Sequence, residues 1–195
     1  MRNLIAISGL LFAVLLGSTD VSWATASNTN TKAENAIECA ALYFIASSLT
    51  ENNDKAAKNL GQLQEVFQAV YGATKLERTG QTITNGMISK AKSSYMVRLG
   101  KQYDRNPDQV YTREIRCDAW RAIIAVALSK LNSRSSQADV ARTIRNLPEM
   151  PSAPSRSDPR WSNSKALVDA SFKKWTENGR ITPQSARDAL RRSSN

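Results

Sequence analysis

The sequence predicts an all-α protein: an antiparallel helical bundle of four main helices, with a short fifth helix and a helical C-terminal arm. Three observations predict it. Apolar residues recur at three- and four-residue spacing through most of residues 32–146. Helix start and stop signals punctuate that region. No run alternates as a half-buried strand does, and no hairpin turn joins two strand-like runs.

The first helix is expected from about Lys32 to Thr50. It contains the stretch Ile37 to Ser48, IECAALYFIASS, in which Cys39 to Ala46 carry no charge. So short an apolar run cannot cross a bilayer, which needs about 20 residues. It is expected as the central helix of the bundle. Asn52-Asn53-Asp54 makes a polar turn, and Asp54 opens a second helix running to about Arg78. Leu60, Leu63, Phe67, Val70, Tyr71 and Thr74 form its buried stripe. Thr79-Gly80 stops it. A third helix starts near Thr84 or Asn85, with Ile88, Ala91, Tyr95, Leu99 and Tyr103 on one face.

Asn106-Pro107-Asp108 is the clearest start signal: a cap, a proline at the first helical position, and an acid at the positive end of the dipole. The fourth helix runs from there to about Leu131. A shorter fifth follows Ser136, with Asp139 placed as in a capping box, and ends at Leu147-Pro148. Pro and Ser dominate 148–163, which reads as a linker. Beyond it a helix is expected from Ser164 to Asn178, then a last short one from Pro183.

The N-terminus reads as a secretory leader. Arg2 precedes a 13-residue apolar core, Leu4 to Leu16, and two small-x-small cleavage patterns end at Ala24 and Ala26. The expected organisation is therefore a signal peptide over 1–26 and a disulfide-stapled bundle over 27–147. The linker over 148–163 and a basic amphipathic arm over 164–195 follow. The expected location is periplasmic or secreted.

In such a compartment two cysteines pair, so Cys39 is expected to bond Cys117. If the two helices cross in opposite senses, Glu38 comes level with Arg121, and the two are candidates for a buried ion pair.

Net charge is +10. Residues 27–150 hold 17 basic and 12 acidic residues, and residues 151–195 hold 9 and 4. Half the excess thus sits in the short C-terminal region. A basic exported chain suits an acidic protein partner, an anionic membrane surface or an anionic glycan. Nucleic acid is not expected. The arm is the expected contact surface. Val168, Phe172 and Trp175 form its apolar face, and Trp161, Lys165, Lys173, Lys174 and Arg180 lie beside or beyond it.

The chain has no histidine, which excludes Ser-His-Asp, Cys-His and two-histidine metal chemistry. No phosphate-cradling or dinucleotide motif occurs. Ser-x-x-Lys recurs at Ser89, Ser162 and Ser171 without its companion motifs. No cofactor and no metal site are expected, and no residue is assigned as catalytic. The expected function is non-enzymatic: protein–protein interaction in the bacterial envelope, as an inhibitor, immunity-type protein or assembly adaptor. The alternatives are an envelope enzyme attacking an anionic glycan such as peptidoglycan through Glu38, Glu114 or Asp118, and a lipid or small-ligand carrier.

Overall fold

The computed structural model describes residues 29–47, 54–131, 134–177 and 179. The expected leader, Arg180 and the helix expected from Pro183 lie outside the described residues. Among the described residues there are six helices and no strand. They are α1 (Thr29–Ser47), α2 (Asp54–Thr79), α3 (Asn85–Arg105), α4 (Pro107–Leu128), α5 (Gln137–Arg145) and α6 (Arg160–Glu177). None of them is long and apolar enough to cross a membrane.

Local chemistry accounts for most boundaries. Gly80 follows α2 at φ 65°, a left-handed conformation that other residues resist, and its amide returns to Leu76 O at 2.8 Å. Thr84 caps α3 by accepting the Met87 amide. Ser136 and Asp139 cap α5 reciprocally. Asn106 departs from expectation. Its side chain caps nothing; its amide instead donates to Gln102 O at 2.8 Å and closes α3. Pro107, lacking an amide hydrogen to satisfy, opens α4 with Asp108 in its first turn. One residue therefore joins α3 to α4.

α1 sits at the centre. Residues 36–43 are all buried, and α2, α3, α4 and α6 pack around them. A helix apolar on every side can be stable only when neighbours surround it. Tyr43 stacks on Phe67 of α2, and Phe67 meets Trp120 of α4, each pair 5.7 Å between centroids. Phe44 is partly exposed, and Lys92 of α3 lies 4.4 Å above its ring.

Cys39 is bonded to Cys117, across a sequence separation of 78 residues. Closing so long a loop stabilises by about 4 kcal/mol in the chain-entropy account. Residues before Cys39 meet residues before Cys117: Asn35 and Glu38 both contact Arg113. The opposite-sense crossing that would bring Glu38 to Arg121 does not occur.

The segment 148–159 is laid along α4. The Trp120 indole donates to Pro148 O at 3.0 Å, and Arg116 Nε to Pro151 O at 2.7 Å. Leu147 and Met150 are buried in the core, with Met150 against Cys39. α6 also begins earlier than Ser164. Asp158 accepts the Arg160 amide at 2.9 Å, so Asp158-Pro159 is the working start signal.

Candidate functional site

α4 carries two polar flanks on either side of its buried stripe. Helical spacing puts Cys117, Trp120 and Ile124 toward the core, all fully buried. Gln109, Thr112, Arg113 and Arg116 fall on one flank, and Glu114 and Asp118 on the other.

The first flank faces a polar cleft of ≈ 490 Å³, which α3 and the 148–159 segment complete. Arg113, Arg116 and Arg156 line it, with Gln102, Asn106, Gln109 and Thr112 as neutral partners and Asp108 as the one carboxylate. Each guanidinium is held in place. Arg113 Nε lies 2.9 Å from Glu38 Oε2, and Arg113 also donates to Asn35 at 3.0 Å. Arg116 is fixed by Pro151 O. Arg156 stacks on Trp161, 3.9 Å from its ring centroid, and meets Asp108 loosely at 3.5 Å. Burial and the neighbouring Arg113 charge both hold the Arg116 guanidinium below its ordinary value. Two like charges kept close together favour a shared anion between them.

Glu38 is the buried counter-charge to this cleft. Burial raises its carboxyl above the ordinary value, against the pull of Arg113, Arg98 and Arg116. Desolvation outweighs the attraction, so ionised Glu38 is held at a cost.

The second flank faces a cleft of ≈ 250 Å³ between α4 and α6, lined by Glu114, Ile115, Asp118, Arg160, Asn163, Ser164 and Leu167. Burial pushes the Glu114 carboxyl up and Asp118 adds to it, while Ser164 and Arg121 oppose. Asp118 accepts two hydrogen bonds from Arg121, at 2.6 and 2.9 Å. Asp118 on its own helix is therefore the main partner of Arg121, with Tyr43 of α1 beside it. Behind Glu114 lies a cavity of ≈ 10 Å³ lined by Tyr43, Leu167, Phe172 and others, space for about one water. Among the described residues the buried Tyr43 hydroxyl makes no well-formed hydrogen bond, and Arg121 is the cation that acts on it.

The arm is docked. Val168, Phe172 and Trp175 are buried in the chain's own core, which removes them as a partner or membrane face. Asp169 accepts hydrogen bonds from Tyr103 at 2.8 Å and Tyr111 at 2.5 Å, and Ser164 donates to Tyr111 O. The Trp161 indole donates to Ser155 O at 2.8 Å. Lys165 and Lys173 are exposed and Lys174 half-buried. Arg180 lies outside the described residues. An apolar helical stripe must be covered by something, and here the bundle covers it.

Sequence reasoning passed over Arg113, Arg116 and Arg156. The first two share a helix face with Gln109 and Thr112, a signal present in the sequence. Arg156 joins them only through the path of the 148–159 segment.

The fold and these two clefts define a disulfide-closed all-α protein with a guanidinium-lined face. No family model matches the chain, and comparison with curated proteins and with solved structures finds no match.

Proposed function

We propose that this chain is an exported, non-enzymatic helical protein of the bacterial envelope that binds an acidic protein partner, as an inhibitor, immunity-type protein or assembly adaptor. Four main helices, α1 to α4, act as its bundle scaffold. The arginine-lined cleft, and not the C-terminal arm, is its contact surface. The observation that carries this reading is the charge of that cleft: three guanidiniums against one loosely paired lining carboxylate. Guanidiniums fixed in position lose little entropy when a carboxylate arrives, and they recognise it by paired hydrogen bonds. The apolar leader and the two cysteines support export. Capture from envelope extracts tests the reading. The wild-type chain should retain an acidic protein that salt releases, and an Arg116→Gln/Arg156→Gln variant should lose it. Unchanged capture by that variant would rule the cleft out.

The glycan-enzyme alternative has one observation in its favour: Glu114 and Asp118 line a common cleft, and Glu114 is raised in pKa. Peptidoglycan turnover that disappears in Glu114→Gln would establish it over the binding reading. The carrier reading finds no support in the cavity behind Glu114, since ≈ 10 Å³ cannot hold a lipid chain.

A further inference from the structure

The carboxylate of Glu38 already holds Arg113, which lines the cleft although Glu38 does not. It is 2.9 Å from Nε of Arg113, with Arg98 and Arg116 as the other cations near it. We propose that Glu38 is a built-in competitor for the anion that enters the arginine cleft, so that binding an acidic peptide segment is coupled to uptake of a proton by Glu38. This rests on the cleft being the binding surface.

The coupling follows from the arrangement. Arg113 belongs both to the cleft lining and to the Glu38 pair. A guanidinium has five donors, and Glu38 and Asn35 already engage part of the fork. An incoming carboxylate shares Arg113 or draws it outward, which weakens its hold on Glu38 and adds a negative charge nearby. Both effects disfavour ionised Glu38, whose burial already penalises its charge. The group that yields is the buried acid, by taking a proton. By linkage, the peptide binds more tightly as pH falls.

From α1, Glu34 adds repulsion at Glu38; from α3 and α4, Arg98, Arg113 and Arg116 attract. Tyr95 of α3 lies within its field. From the 148–159 segment, Pro151 presents a carbonyl to Arg116, and Arg156 stands across the cleft. Asp108 is the one other acid lining the cleft. It pairs with Arg156 at 3.5 Å, so it is the control residue.

The experiment uses the mature chain and a fluorescent aspartate-rich peptide at low salt. Its side chains, with ordinary pKa near about 3.9, stay charged above about pH 5. Wild-type affinity should strengthen between about pH 7 and pH 5. Glu38→Gln should bind more tightly than wild type near neutral pH, by several-fold to about tenfold, with a flattened pH profile. Asp108→Asn should keep the wild-type pH dependence. Calorimetry on the wild type in two buffers of different ionisation enthalpy should show proton uptake on binding, a readout that needs no variant to fold. Equal affinity and equal pH dependence in wild type and Glu38→Gln, or binding without proton uptake, overturns the coupling. The cleft reading survives that result if Arg116→Gln/Arg156→Gln has lost the peptide. No peptide binding by the wild type at any pH overturns both.

Discussion

The ring of Phe172 stacks on that of Tyr103, 4.5 Å between centroids and 17° between planes. Trp175 meets Phe172 edge-on at 5.7 Å. These contacts join α6 to α3, and Asp169 ties both to α4 by accepting from Tyr103 and Tyr111. The C-terminal helix is thus part of the core, and its three apolar anchors are spent on the protein itself.

Truncation after Met150 should therefore lower stability sharply, not release a loose arm. It uncovers Tyr103, Tyr111 and the Leu42 side of α1. Phe172→Ala should cost about 3–5 kcal/mol in urea or guanidinium unfolding, as large-to-small changes in a filled core do. A shortened chain that melts with the whole protein would show that α6 is not needed for the fold.

The disulfide should dominate the entropy of the unfolded chain. Cys117→Ser frees a loop of sequence separation 78. Stability should fall by about 4 kcal/mol, and by less if the reduced denatured state keeps structure. Thermal melting under oxidising and reducing conditions measures it: the wild type should fall to the variant's midpoint when reduced, and the variant should not respond.

Stability should rise on mild acidification before it falls. Glu38 and Glu114 are both raised by burial above an ordinary value of 4.5. An acid raised by folding contributes fully below its unfolded value, and that contribution is lost as pH climbs through its folded value. Asp158 acts the other way. Hydrogen bonds from Arg160 lower it from 3.8 to about 2, so its contribution holds above 3.8 and is lost as pH drops toward about 2. Melting temperature should therefore increase from neutral pH toward about pH 5 and decline below about pH 4. Glu38→Gln should flatten the upper part of that profile. A wild-type maximum at or above neutral pH would contradict the assignment.

Much of the helical plan is legible in the sequence, because its signals are local. Ser136 and Asp139 stand three apart, and Pro107 marks its own helix start, so no distant residue is needed to read them. The stripe Val168, Phe172, Trp175 is equally legible as a face that must be covered. Its partner is not, because periodicity says that a face is buried without saying against what. The cysteine pair is legible from compartment logic. The sense in which α1 passes α4 is not, since one bond fixes a point and no direction. That single missing sign moves the expected partner of Glu38 from Arg113 to Arg121, two turns along α4. The arginine cleft was hidden for a similar reason: Arg156 reaches it only because 148–159 folds back on α4, held by Pro148 and Pro151 carbonyls that carry no signal in sequence.

The partner of Glu38 can be decided by a double-mutant cycle. Glu38→Gln and Arg113→Met should couple by about 1 kcal/mol or more, because the pair is in contact and Glu38 is shielded from solvent. Arg113→Met alone should be the costlier single change, since it strands an ionised carboxylate whose burial already disfavours its charge. That cost should shrink as pH falls, since the stranded Glu38 then takes a proton. Glu38→Gln with Arg121→Met should be additive within about 0.5 kcal/mol, because Arg121 is bound by Asp118 on its own helix. Urea unfolding of the four chains in each cycle gives the answer. Coupling in the second cycle with additivity in the first would mean that the two helices cross in the opposite sense.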